Sequence, residues 1–347
     1  MNPEILSWHK IILKLRNPFR ISYGTSETRE AFWVRLKNDE GWGEGTIPPY
    51  YGVELGVMEH LWESAANNPV PYPDDPALIP GWIGEGPAPA RCALDLALHD
   101  RIARNLNIPL YKLLGVPFPQ SKPSAFTIAL DTPEEMAKMA SQVKNYPIIK
   151  VKLGGDFQDL DRLAAIRKVR PEVRLWIDAN GGWSFDESVK YLPELEALGI
   201  EMLEQPLEKA DIQGMGILQK KTKIPIVADE SMQSYENIKE IALAGVQGVN
   251  IKLMKVGGLS SAVKMIHQAK ALKLKVMLGC MIETAIGTTA MAHLIGLADW
   301  VDLDAPALIT NDPFDGMSLD QNCMIQMPEG VGIGVRIKGS DSTLPIS

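Results

Sequence analysis

The feature that most constrains the fold is an alternation that begins near residue 124 and continues to about residue 306. Eight short apolar runs recur: SAFTIAL (124–130), PIIKVKL (147–153), RLWIDAN (174–180), IEMLEQP (200–206), IPIVADE (224–230), GVNIKLM (248–254), KVMLGCM (275–281) and WVDLDAP (300–306). Between them lie about seven segments with apolar residues at helical spacing. Each run is continuously apolar rather than alternating, the mark of parallel strands covered on both faces. Eight strands alternating with about seven helices predict an α/β barrel. The competing open, doubly wound sheet lacks its fingerprint: no GxGxxG follows the first strand, and the Gly154-Gly155 pair does not replace it.

The part before the alternation reads differently. Residues 4–15 and AFWVRLK (31–37) look like strands, GWGEG (41–45) like a turn feeding another short strand, and residues 88–115 are apolar at helical spacing. The expected organisation is an α+β domain over 1–118, the barrel over 119–312, and a segment rich in scattered Pro and Gly over 313–347 that packs back on the first domain. A net charge of −8 without any basic stripe argues against nucleic-acid or anionic-membrane partners. Cys92, Cys280 and Cys323 are too few and too dispersed for a disulfide framework, and no basic n-region leads into an apolar stretch at the start. A cytoplasmic enzyme acting on a small molecule is expected, and self-association is left open.

Nearly every strand ends in a polar group. Lys152, Asp178, Glu204, Asp229, Lys252, Cys280 and Asp302 follow at steps of 26, 26, 25, 23, 28 and 22 residues. A βα unit needs about that length, so these groups fall at one end of consecutive strands, where barrel enzymes carry their sites. Asp178, Glu204 and Asp229 would repel in a shared, partly desolvated mouth unless a cation neutralised them. Three oxygen donors with no His or Cys nearby point to Mg²⁺, with Mn²⁺ as a substitute. Lys150 and Lys152 share one face of their strand by the i, i+2 rule. Lys152 and Lys252, on the second and sixth strands, should face each other across the mouth. Lys150, an ammonium beside Lys152, would lower its pKa and bind a substrate oxygen. The metal would stabilise the enediolate of a substrate carboxylate, and a lysine on each face would permit inversion at the α-carbon.

KVK (150–152), DAN (178–180), EQP (204–206), ADES (228–231), NIKLMKVGG (250–258) and the ALDLALHD helix before them resemble, over essentially the whole chain, the enolase superfamily and its muconate-lactonizing subgroup. That resemblance implies an N-terminal capping domain on a modified TIM barrel, (β/α)7β, Mg²⁺ on Asp178, Glu204 and Asp229, and Lys152 with Lys252 as the acid/base pair. The mandelate racemase branch uses a His-Asp dyad, whereas His267 and His293 here fall inside amphipathic helices. Asp302 and Asp304 share a face of the last strand, and beside three further acids they call for a positive ligand. The dipeptide epimerases of the subgroup look similar here, with such a pair holding a dipeptide's ammonium. The same two aspartates also fit a helix cap ahead of Pro306. By resemblance Thr127, Cys280 and Glu283 would line the substrate. The L-Ala-D/L-Glu epimerases also carry a loop arginine, and that position falls near Gly24, with Arg20, Tyr23 and Arg29 as neighbours. A dipeptide with an uncharged second residue is therefore as well supported as one with glutamate. N-succinylamino acid racemase, o-succinylbenzoate synthase and muconate cycloisomerase stand as alternatives, and a non-catalytic binding protein is the reading from another class.

Overall fold

The computed structural model describes residues 5–154 and 156–339. Position 4, where the first strand was expected to begin, Gly155 and positions 340–347 of the C-terminal segment lie outside the described residues.

The alternating region forms one eight-stranded sheet: β4 (Phe126–Ile128), β5 (Ile148–Lys152), β6 (Arg174–Asp178), β7 (Ile200–Glu204), β8 (Ile226–Ala228), β9 (Gly248–Ile251), β10 (Lys275–Gly279) and β11 (Trp300–Asp302), in sequence order and parallel throughout. The two edges approach each other through Ala125 N to Val301 O at 3.1 Å and Leu303 N to Ser124 Oγ at 2.9 Å, so the sheet is a nearly closed barrel.

The period of two explains how one strand carries both a core and a site. Ile148, Trp176, Met202, Val227, Met277 and Trp300, with Ala125, form an apolar cluster inside the lower barrel. Two or more residues further along the same faces stand Lys150 and Lys152, Asp178, Glu204, Asp229 and Asp302. Ile149, Val151, Leu175, Ile177 and Leu203 have the other parity and belong to the large core shared with the surrounding helices.

The cap begins with three antiparallel strands, β1 (Leu6–Ile21), β2 (Gly24–Leu36) and β3 (Trp42–Gly45). Here the structure extends the sequence reading: β1 continues six residues past 15, and β2 starts seven residues before 31. The added half of the hairpin, RNPFRI and GTSETRE, is largely exposed on both faces and contains a register shift between Lys14 and Phe19, so no apolar alternation marks it. GWGEG has a packing role. A Cβ on Gly41 would stand 2.1 Å from Ala97 O, and one on Gly43 would stand 1.8 Å from Ala93 O, so only glycine lets β3 lie on the helix Ala88–Asn105.

That helix joins cap to barrel. Asp95 accepts from Leu259 N at 2.6 Å and Ser260 N at 3.2 Å, the first amides of the helix Leu259–Ala271. Glu44 accepts from Thr284 N (2.8 Å), Thr284 Oγ1 (2.6 Å) and Gly287 N (2.9 Å). The C-terminal stretch returns to the same helix region, with Ile333 N on Asp100 Oδ1 at 2.8 Å and Leu110 N on Gly332 O at 2.8 Å. Among the described residues no helix is long and apolar enough to cross a membrane.

Candidate active site

The strand ends bring the predicted acids together. Carboxylate oxygens of Asp178, Glu204 and Asp229 lie within 4.8 Å of one another, and all three residues are buried. Strand register accounts for this: Lys152 pairs with Asp178, and Asp178 with Glu204, across adjacent parallel strands. Three oxygen donors at this separation fit a hard divalent cation. Glu204 Oε2 accepts no aligned hydrogen bond, although Lys150 Nζ stands 2.6 Å from it, and such a buried acceptor suits an ion at the centre of the triad.

Four ammonium groups surround the acids. Lys150 Nζ lies 3.0 Å from Asp178 Oδ2 and 2.9 Å from Asp302 Oδ2. Lys152 Nζ meets Asp178 Oδ2 at 2.6 Å, and Lys252 Nζ meets Asp229 Oδ2 at 2.7 Å. Lys255 donates to Asp229 Oδ1 and, at 2.7 Å, to Asp229 O. Burial opposes charge on Asp178, but Lys150 and Lys152 hold its carboxyl down at about 2. Asp229 is likewise held well below the carboxylate range, by Lys252 and Lys255 against the effect of burial. Glu204 goes the other way: burial and the charge of Asp178 push it up to about 8.

Lys150, expected to lower the pKa of Lys152 and to bind a substrate oxygen, stands at the centre of a three-carboxylate cage, where Asp178, Asp302 and Glu204 overcome burial and hold it well above the ordinary lysine value. Lys252 is also raised, because Asp229 outweighs burial and Lys150. Acids in direct contact set the sign here, and a fellow ammonium is the weaker influence.

Above the acids opens a cavity of about 240 Å³. Lys150, Lys152, Lys252, Thr127, Cys280, Asp302 and Asp304 all line it, together with Tyr23, Arg29, Pro49 and Tyr50 from the cap. Asp304 stands at the start of the short helix Ala305–Leu308, which Pro306 opens, yet its side chain makes no capping bond. Its Oδ2 accepts from Thr127 N at 2.7 Å, which turns the carboxylate toward β4. Burial, then the charge of Asp302, push Asp304 up to about 7. Cys280 Sγ lies 4.0 Å from Asp304 Oδ1, and burial raises its thiol well above the usual range. Glu283 is elsewhere: it does not line this cavity, but is buried with Oε2 accepting from Met281 N at 3.2 Å, and the charge of Glu44 adds to burial in raising its pKa. The turn after β10 directs its side chain under the cap.

Several residues escaped the sequence reading. Asn250 Nδ2 donates to Glu204 Oε1 at 2.7 Å, and Asn180 Nδ2 donates to Glu230 Oε1 at 3.0 Å. Gln205 Oε1 accepts from Asp229 N (2.9 Å) and Ser231 N (3.1 Å), tying two metal-ligand candidates' strands together. Asn180 and Gln205 have φ of 44° and 37°, the left-handed region that non-glycine residues rarely adopt, so the chain turns sharply two residues after Asp178 and one residue after Glu204. Lys255 sits three residues past Lys252 in the motif NIKLMKVGG, and that spacing was its available signal. His293 is structural, as its helix position suggested: Nδ1 faces Tyr111 N at 3.3 Å and Nε2 faces Ile333 O at 3.1 Å.

A parallel barrel roofed by an antiparallel unit, with its acids at the strand ends, is the enolase type of architecture, and residues 134–342 match the model described as enolase C-terminal domain-like. Residues 9–115 match the N-terminal domain of the mandelate racemase/muconate lactonizing enzymes, and the chain belongs to that family. It is 34% identical over 340 residues to an L-Ala-D/L-amino acid epimerase of a Maribacter species, covering 96% of this chain and 99% of the relative. It is 30% identical over 360 residues to an N-succinyl-L-Arg/Lys racemase of Bacillus cereus, covering 95% and 94%. The solved structure of a dipeptide epimerase from Enterococcus faecalis, complexed with Mg and L-Leu-L-Tyr, superposes with a TM-score of 0.89 at 29% identity, covering 96% and 99%.

Proposed function

We propose that the chain is a Mg²⁺-dependent dipeptide epimerase, an isomerase that inverts the α-carbon of a dipeptide's C-terminal residue by two-base 1,1-proton transfer. The observation that carries this reading is that Lys152 and Lys252, from β5 and from the residue after β9, line one cavity above the three-acid cluster. Asp178, Glu204 and Asp229 would hold the cation, with Mn²⁺ the expected substitute. When bound, it supplies the positive charge that acidifies the α-proton of a substrate carboxylate. Lys152 and Lys252 flank the α-carbon: one amine receives the proton, the other ammonium returns one to the opposite face, and the reverse reaction exchanges their roles. Asp302 and Asp304 receive the substrate ammonium, and Thr127 fixes Asp304 for that task. Three free cysteines support a reducing, cytoplasmic location.

One observation favours a second reading within the family. Asp302 already has a cation, Lys150, at 2.9 Å, so this wall does not strictly require a substrate ammonium, and an N-acylated amino acid, as in N-succinylamino acid racemization, would fit it. The double variant Asp302→Asn, Asp304→Asn separates the two: loss on free dipeptides with retained activity on N-acylated amino acids supports the epimerase. The primary test is a mass-spectrometric screen of dipeptide libraries in D₂O with Mg²⁺, in which deuterium at the C-terminal α-carbon reports proton abstraction whatever the side chain. Absence of exchange on every dipeptide overturns the proposal.

A further inference from the structure

One oxygen of each acid in the cluster is engaged by a residue that does not line the cavity. Asp178 Oδ1 accepts from Asn180 N at 3.0 Å, Asp229 Oδ1 from Lys255, and Glu204 Oε1 from Asn250 Nδ2 at 2.7 Å. The second oxygens turn to the amines that do line it: Asp178 Oδ2 to Lys152 at 2.6 Å, Asp229 Oδ2 to Lys252 at 2.7 Å and Glu204 Oε2 to Lys150 at 2.6 Å. Of the three outer donors, one is a backbone amide and one carries a charge. Asn250 alone is a neutral side chain, so it can be replaced without changing the net charge of the site.

Strand geometry places Asn250 for this contact. It stands on β9 two residues before the extended Lys252, on the same face, and is fully buried. From there its amide passes β8 and meets Glu204 at the end of β7. A Cβ on Gly279 of β10 would stand 2.7 Å from Asn250 Oδ1 and 3.0 Å from Nδ2, so glycine at that position leaves the amide its space. The contact has a cost, because Asn250 Oδ1 is buried without a hydrogen-bond partner. Reversing the amide would set that oxygen against the Glu204 carboxylate, so the side chain keeps its NH₂ toward the acid and its carbonyl unsatisfied. An orphaned acceptor beside a ligand acid points to a requirement placed on Glu204.

A carboxylate with one oxygen occupied offers a cation only the other. Mg²⁺ takes about six oxygens in near-octahedral order at roughly 2.0–2.1 Å, whereas Ca²⁺ takes about six to eight at roughly 2.3–2.6 Å and accepts both oxygens of one carboxylate. We propose that Asn250 is a positioning residue of the metal site: it restricts Glu204 to one-oxygen coordination and so selects Mg²⁺ against Ca²⁺. This rests on the reading of Asp178, Glu204 and Asp229 as the cation's ligands.

The test measures binding of the metal ions alone to the substrate-free protein, from the electron paramagnetic resonance signal of free Mn²⁺ with Mg²⁺ or Ca²⁺ as the displacing ion, in wild type, Asn250→Leu and Asn250→Ser. Leucine keeps the volume and removes the donor. Serine is too short to reach Glu204, and it supplies the answer if the leucine variant fails to fold. The ratio of the Ca²⁺ to the Mg²⁺ dissociation constant should fall by about tenfold in both variants, since Mg²⁺ loses a fixed ligand while Ca²⁺ gains a second Glu204 oxygen. A merely structural role would weaken both ions together. An unchanged ratio, whether both ions bind as before or both bind more weakly, therefore overturns the proposal. If the wild type takes up no Mn²⁺, the assignment of the three acids as ligands fails and the role of Asn250 with it; if it takes up Mn²⁺ and the ratio holds, only the role of Asn250 fails.

Discussion

Buried acids are treated in opposite ways at the cap–barrel joint and at the barrel mouth. At the joint, Asp95, Asp100 and Glu44 receive backbone amides: Leu259 N and Ser260 N, Trp42 N and Ile333 N, Thr284 N and Gly287 N. At the mouth, Asp178, Glu204 and Asp229 face lysine amines, with Asn250 and the Asn180 amide assisting. Backbone donors are fixed by the fold and hold two units together. Lysine amines end flexible stems, can carry protons, and can exchange one partner for another. The difference separates acids that hold the structure from acids available for chemistry, although both sets are equally buried.

The strongest way to break that distinction is an exchange at the mouth. Glu204→Gln should lower α-proton exchange by about 10³-fold or more while changing stability by no more than about 1 kcal/mol, because burial already pushes this carboxyl up to about 8. Activity and urea denaturation measured on the same preparation check both halves. Chelation of divalent ions should reproduce the loss in the wild type, and Mg²⁺ should restore it.

The reciprocal change at the joint, Glu44→Ala, should cost about 3 kcal/mol of stability, since three hydrogen bonds to one carboxylate disappear. The midpoint in urea reports it. A smaller activity effect in the folded fraction than that of Glu204→Gln keeps the two regions distinct.

A pH titration sharpens the contrast at the same joint. Burial lowers His293 to about 4, below the value near 6.5 of an unfolded histidine. The unfolded state therefore binds this proton first, so its contribution is complete above pH about 6.5 and is lost as pH falls toward 4, by up to about 3 kcal/mol. Glu44, pushed up to about 7 by burial, works in the opposite direction over an overlapping window, so the quantity to measure is the difference in stability between wild type and His293→Gln across pH 4 to 7. The smallest effect belongs to the surface. Lys138→Ala removes an exposed pair with Glu135 and should change stability by less than about 0.5 kcal/mol.

The barrel was readable from the chain because one period serves two purposes. Ile148, Lys150 and Lys152 keep a single face of β5, so the apolar floor and the charged mouth are written in the same strand, and the step between strands is set by the length of a βα unit. The acids at 178, 204 and 229 converge for the same reason. What the chain concealed depends on contacts between distant segments. Arg29 reaches the mouth on a hairpin whose exposed residues show no apolar rhythm, and Tyr50 does so from a short turn. Glu283 follows a strand end as the others do, but the turn after Gly279 sends it toward Glu44 and away from the cavity. Lys150 could be placed on its face, but which acids it would meet could not, because Asp302 is 152 residues further along.

Two amines acting on opposite faces of one carbon are the centre of the proposed reaction. Its most direct test is to follow each stereoisomer of an accepted dipeptide separately in D₂O with Lys152→Ala and with Lys252→Ala, scoring α-deuterium and epimer together. The expected result is that each variant loses interconversion by about 10³-fold or more, and that any exchange left is confined to one stereoisomer, a different one for each variant. Interconversion at the wild-type rate in either variant would contradict it.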